Sequence, residues 1–273
     1  MSVPRLNPDG FSVKGCDFIY APKGQAGEYS KLAANPYRGC GHKCRYCYVP
    51  GVLHMTRAEF DAGANERAGY LENLSKDARK YQNLGIREQV LLSFTTDPYH
   101  PFDTSLTRAT LKVLIEHGLD FCTLTKGGSR ALRDLDLFRP DRDAFASSLT
   151  LLDDAESEKW EPGAALPADR IETLKRFHEA GIYTWVSLEP VIDVEATLEI
   201  IRRTHTFVNL YKVGKLNYCK RDIDWREFTG QVIELLAQTN SERYLKKDLQ
   251  PYLPSGYQND LYRPQRRELP VLQ

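Results

Sequence analysis

Three cysteines fall within eight residues, Cys40, Cys44 and Cys47, with the spacing C-x3-C-x2-C. No other feature constrains this chain as tightly. Thiolates are soft ligands suited to zinc or to iron–sulfur centres, so a metal is the first inference. A structural zinc normally takes four protein ligands. His42 is the nearest fourth candidate, but it sits inside the first gap, where ligation strains the same short loop. No second C-x2-C pair exists in the sequence. Three cysteines on one loop instead leave one iron of a cubane without a protein ligand, an open position for chemistry. Spacing alone therefore favours iron–sulfur and leaves zinc as the alternative.

Cys16, Cys122 and Cys219 are scattered, unlike the framework of a disulfide-rich secreted domain. That usage fits a metal centre in a reducing compartment. No apolar run approaches a membrane span. Met1 to Gly10 lacks the apolar core of a secretory signal. The expected location is the cytoplasm, with no membrane association.

Lysine plus arginine balance aspartate plus glutamate at 37 each in 273 residues. A neutral chain has no long-range steering toward phosphate. The charge is patchy, however. Between Asn35 and Pro50 lie Arg38, Lys43 and Arg45 and no acid.

Residues 1–32 lack periodicity and read as an irregular arm. A repeating pattern occupies 33–240, and 241–273 reads as a tail packed upon it. Short apolar segments recur at Val90–Thr95, Asp120–Thr125, Ala144–Leu149, Ile182–Leu188 and Phe207–Val213, rich in the residues of buried strands. Helical stripes lie between them: Leu111, Leu114 and Ile115; Ile171, Leu174 and Phe177 after Pro167; Val232, Leu235 and Leu236. Gly118 and Gly181 end two helices directly before strands. Such alternation gives a mainly parallel sheet with crossover helices. With one strand before the cysteine loop there are about six units. The expected class is α/β, a partial (β/α)6 barrel with its functional groups at the C-terminal ends of the strands.

The cysteine spacing, with Tyr46 just before the last cysteine, resembles the radical S-adenosylmethionine (SAM) signature. The longer string Asn35-Pro-Tyr-Arg-Gly-Cys40, with Cys47-Tyr48, is similar to the spore-photoproduct-lyase-like, or DNA repair photolyase-like, branch. The resemblance covers roughly residues 28–240 and implies a barrel of the radical SAM type. It implies a [4Fe–4S] cluster on the three cysteines, whose open iron takes the amino and carboxylate groups of SAM. One electron, from a reductant such as flavodoxin or ferredoxin, then splits SAM to a 5′-deoxyadenosyl radical that abstracts a substrate hydrogen. Lyase and oxidoreductase chemistry are both compatible with this.

Strand ends supply the remaining candidates. The resemblance sets Tyr46 against the cofactor and Asp97 toward its methionyl amine; a turn or cap aspartate is the plain alternative. It pairs Lys126 with the cofactor carboxylate. Alternation turns only one of Ser147 and Ser148 inward, and Ser147 is chosen. Glu189 needs partners after an apolar strand, and either a ribose diol or a backbone donor supplies them. Lys212 or Lys215, Asn217 and Tyr218 are substrate-side candidates, with a core or surface role as the equal alternative for each.

Cysteine quenching of the product radical, in the spore lyase, uses a residue some tens of positions after the cluster loop. None stands between Cys47 and Cys122 here. Cys122 is read as a buried small hydrophobe. Cys219 then becomes the candidate hydrogen donor, with Tyr46, Tyr48 or Tyr99 as substitutes. The departure puts thymine-dimer splitting in doubt. Three readings of function follow: a radical enzyme acting on a nucleic-acid base or nucleotide, one acting on a peptide or small metabolite, and a non-enzymatic zinc- or cluster-binding interaction protein.

Overall fold

The computed structural model describes residues 4–92, 94–217 and 222–259. Seven strands form one sheet: β1 (Leu32–Ala34), β2 (Val90–Leu92), β3 (Phe121–Thr125), β4 (Ala144–Ser148), β5 (Tyr183–Leu188), β6 (Leu210–Val213) and β7 (Glu242–Leu245). They lie in chain order and every neighbouring pair is parallel. The fold is α/β, an open partial barrel, as the alternating pattern requires.

The sheet has one more strand than the apolar segments suggest. β7 lies in the segment read as a tail. Its sequence, Glu-Arg-Tyr-Leu, covers an edge and only Leu245 is buried, so it carries no apolar run to signal a strand.

Alternation along the strands separates two cores. Leu91, Cys122, Ala144, Ala146, Trp185 and Leu210 face inward with Tyr29. Val90, Phe121, Phe145, Val186 and Val213 face the helices. The outer layer includes α1 (Tyr70–Asn83), α2 (Ser105–Glu116), α3 (Asp154–Trp160), α4 (Pro167–Glu179), α5 (Val194–Thr204) and α6 (Trp225–Gln238). Pro167 occupies the first turn of α4, where its missing N–H costs nothing. Phe177 of α4 stacks on Phe145 at 3.8 Å and packs edge-on to Phe138. Gly181 and Gly118 adopt positive φ of 78° and 71°, turning the chain from helix to strand.

The arm is fastened at two points. Asp77 accepts the N–H groups of Asp17, Phe18 and Ile19. Of the two roles open to Lys212, the structure gives it the core one: it is fully buried within the barrel. There it donates to the Tyr29 carbonyl at 2.8 Å and lies over the Trp185 ring at 4.8 Å. Burial pushes its amine down to about 7. Among the described residues, no helix is long and apolar enough to cross a membrane.

His100 gives the fold a pH dependence. Its ring is fully buried edge-on to Tyr37, and Nδ1 accepts the Phe102 N–H at 3.2 Å. Burial holds it down at about 4, with nearby His42 and Arg130 assisting and Asp97 opposing. Unfolded histidine titrates near about 6.5. The unfolded chain thus binds the extra proton first, and stability is lost as pH falls from 6.5 toward 4. Thermal melts across that window are expected to show a smaller fall for His100→Asn, whose amide oxygen keeps the acceptor.

Candidate functional site

The cysteine loop is held by its own backbone. It leaves a two-residue ribbon, where Tyr37–Arg38 pairs antiparallel with Asn65–Glu66, and ends at the short helix Val49–Val52. The Cys40 N–H donates to the Phe60 carbonyl at 2.9 Å, and the Thr96 hydroxyl to the Gly39 carbonyl at 2.6 Å. Arg57 donates to the Cys44 carbonyl at 2.7 Å. The end of α3 and the segment after it clamp the far side: Arg45 N–H to Trp160 carbonyl, 2.8 Å, and Gly163 N–H to His42 carbonyl, 3.0 Å.

That clamp requires glycine. A Cβ on Gly163 would stand 2.1 Å from the Gly41 carbonyl oxygen, a backbone atom with nowhere to go. Gly163→Ala is expected to cost about 2 kcal/mol, roughly 5 °C in melting temperature, and to lower iron retained after reconstitution. Gly230→Ala, whose Cβ meets nothing within 4 Å on α6, is the control and should lose neither.

All three thiols line one cavity of about 200 Å³ at the C-terminal ends of the strands. Lys126, Ser148 and Glu189 line it too, with Tyr46, Asp97, Lys215 and Asn217. None of the three cysteines is in a disulfide. Burial pushes the Cys44 thiol up to about 12 despite Lys126 beside it. Burial raises Cys40 and Cys47 as well. Such thiols give up protons to a cation that replaces the lost hydration.

His42 is not free to ligate zinc. Arg130 donates to its Nε2 at 2.9 Å, so the ring proton sits on Nδ1, which faces Asp97 at 3.3 Å. Among the described residues, no three His, Cys, Asp or Glu side chains are gathered to hold a single ion. Three thiols lining one cavity are soft ligands of the kind that an iron–sulfur centre takes.

The sequence candidates divide clearly. Lys126 enters the cavity with its ammonium 5.5 Å from the centre of the Tyr46 ring. Burial disfavours its charge, but Cys44 and Glu161 outweigh that and raise its pKa. The Tyr46 hydroxyl donates to Glu161. Asp97 lines the wall with its acceptors occupied: Oδ1 takes the Thr125 hydroxyl and Tyr99 N–H, and Oδ2 takes the Lys126 N–H and faces His42. Burial alone would raise its carboxyl, yet His42 and these donors hold it well below the usual range. Glu189 is paired with Lys246 at 2.6 Å and accepts the Tyr29 hydroxyl.

One expectation is corrected, and a second candidate stands away from the cavity. Ser147 shares the helix-facing side with Phe145 and donates to the Thr125 carbonyl at 3.2 Å; Ser148 is the one that lines the cavity. The strand period of two puts the inward residue one position later. Tyr99 is fully buried in the helix-side core and lines no described cavity. Burial and Asp134 push its phenol well above the usual range. Lys215 and Asn217 do reach the cavity. Cys219 and Tyr218 lie outside the described residues. Cys122 is buried as expected and accepts the Trp185 indole N–H at 3.2 Å.

Sequence reasoning missed Glu161 and Arg170, a pair 2.6 Å apart and no more than 1% exposed, beneath Tyr46. A signal existed. Arg170 stands at i, i+4, i+7 with Leu174 and Phe177, a charge on the buried stripe of α4.

The model of the Radical SAM superfamily matches residues 34–208. The chain belongs to the Radical SAM superfamily. Its members use SAM and a [4Fe–4S] cluster, and they are generally enzymes. This Radical SAM chain is 26% identical over 208 residues to the uncharacterized protein ORF301 of Acidianus two-tailed virus, covering 70% of this chain and 69% of that one. Its fold is similar to spore photoproduct lyase complexed with dinucleoside spore photoproduct: TM-score 0.64, 15% identity, 85% of this chain and 79% of that one. It is also similar to Streptococcus suis SuiB bound to SAM: TM-score 0.63, 15% identity, 81% of this chain but only 52% of SuiB.

Proposed function

We propose that this protein is an enzyme that abstracts hydrogen from a nucleic-acid base, with a cluster held by Cys40, Cys44 and Cys47. One observation carries the reading: the three thiols, Lys126, Ser148 and Glu189 line a single cavity at the C-terminal ends of a parallel sheet. With cluster and SAM bound, the chemistry supplied is reductive formation of a 5′-deoxyadenosyl radical. A small reductant protein such as flavodoxin or ferredoxin delivers the electron.

The chain's own residues orient and exclude. Lys126 offers a cation to the carboxylate of SAM. Asp97, with its acceptors engaged, positions Lys126 and the cysteine loop in place of gripping the amine itself. Ser148 offers a hydroxyl on the same wall. Glu189, already neutralised by Lys246, faces the cavity as an acceptor for a ribose diol. Tyr46, tied to Glu161, covers the cavity beside Lys126 and limits water.

The base as substrate is supported by likeness to spore photoproduct lyase, and by the exposed, acid-free run of Arg38, Lys43 and Arg45 on the cysteine loop. SuiB, bound to its precursor peptide SuiA in a further structure, points to a peptide. Deuterium tracing separates them. A thymidine oligonucleotide deuterated on the base and sugar is expected to deliver deuterium into 5′-deoxyadenosine. Deuterium arriving only from a labelled peptide mixture would overturn the nucleic-acid assignment.

A further inference from the structure

A second cavity lies beside the cysteine-lined one, and the proposed reaction gives it no role. It encloses about 560 Å³, within the range of about 300–1,000 Å³ common for small-molecule sites. The two cavities share Gln25, Tyr48, Val49 and Phe94. Three parts of the chain wall the second: the arm from Tyr20 to Ala26, the short helix after Cys47, and the loop after β2.

Asn35 joins two of these walls. Its Oδ1 accepts the N–H groups of Phe94 and Thr95 at 2.8 and 3.0 Å, and its Nδ2 donates to the Tyr20 hydroxyl. It is only 4% exposed. The cavity is therefore built on a buried polar side chain.

The lining is chemically one-sided. It presents three aromatic rings, Tyr20, Tyr48 and Phe94, one cation, Lys23, and no carboxylate. Tyr48 and Val52 stand 47% and 58% exposed at its edge. Aromatic faces with a cation and no acid are what a stacked base with an attached phosphate selects.

We propose that this second cavity is a subsite for one nucleotide unit of a single strand. Its base stacks on Tyr48 and its phosphate meets Lys23, which brings the neighbouring base through the shared wall to the cysteine-lined cavity. The proposal rests on the reading that the substrate is a nucleic-acid base.

Calorimetric titration of the anaerobically reconstituted protein with a 5′-phosphorylated thymidine dinucleotide tests it. Lys23→Glu is expected to weaken binding about tenfold at low salt, with the difference shrinking as salt is raised. Tyr48→Ala should weaken it about tenfold, while Tyr48→Phe, which keeps the ring, stays within about twofold of the parent. Lys23 lies on the exposed arm, so its variant carries the test if Tyr48→Ala fails to hold iron. Equal affinity across these proteins, no binding by the parent, or binding of a tyrosine dipeptide in its place would overturn the subsite. Reductant-dependent 5′-deoxyadenosine formation without dinucleotide, in the same preparations, keeps the two ideas apart. Its presence without nucleotide binding sinks the subsite alone; its absence with the binding pattern intact sinks the radical reading and leaves the subsite standing.

Discussion

Cys44→Ala protein is expected to emerge from anaerobic reconstitution without a stable iron–sulfur chromophore and without 5′-deoxyadenosine formation. Losing even an outer partner of a metal ligand costs about 10–100-fold, so loss of a ligand should exceed about 100-fold in product. Cys44 is buried, and its carbonyl is fixed by Arg57 at 2.7 Å. The loop therefore cannot slide a substitute into its place, and Cys16, on the arm, is the cysteine of another region. Iron and sulfide per chain, with product measured by mass, report the result. Cys122→Ala is the control. That thiol faces the barrel interior against Trp185, so the variant should keep iron and product while losing some stability.

The second large effect is on folding. Arg170→Met is expected to cost about 3–5 kcal/mol, because it leaves the Glu161 carboxylate buried without its counter-charge. For a chain of this size that lowers the melting temperature by about 10 °C. Glu161 also accepts from Tyr46 and, at 3.0 Å, from the Thr150 hydroxyl. Burial opposes its charge; Arg170 and then Lys126 hold its pKa below the ordinary value. The double variant Glu161→Gln with Arg170→Met removes both charges and should regain most of the loss. A double variant no more stable than Arg170→Met would mean that Arg170 acts by packing. Thermal melts of the four proteins form the cycle.

Much of this was legible in the sequence because it is local. The cysteine spacing, the apolar strands and the glycines ending α2 and α4 depend on neighbours within a few residues. β7 escaped because an edge strand with three partly exposed residues needs no apolar run. The choice between Ser147 and Ser148 failed because a one-residue shift in phase reverses which side chain faces in. Tyr99 follows the turn at Asp97-Pro98, and only the fold shows that this turn sends its ring to the helix side. The link of Glu189 to Lys246 joins positions 57 apart in the chain, and those of Asn35 to Tyr20 and Arg170 to Glu161 cross breaks between elements. No local pattern encodes them, although the charge on the stripe of α4 hinted at one.

Glu189 illustrates the limit. Its need for partners was visible from its place after an apolar strand, but the partner proved to be Lys246, just past β7. The carboxylate thus reaches the cavity already neutralised, an acceptor rather than a bare charge.

The central claim is that Cys40, Cys44 and Cys47 support reductive cleavage of SAM. Its most direct test is 5′-deoxyadenosine formation by the anaerobically reconstituted protein, with and without a strong reductant. The account expects product that requires reductant, SAM and all three cysteines. Protein that binds zinc alone and yields no 5′-deoxyadenosine under reduction would contradict it.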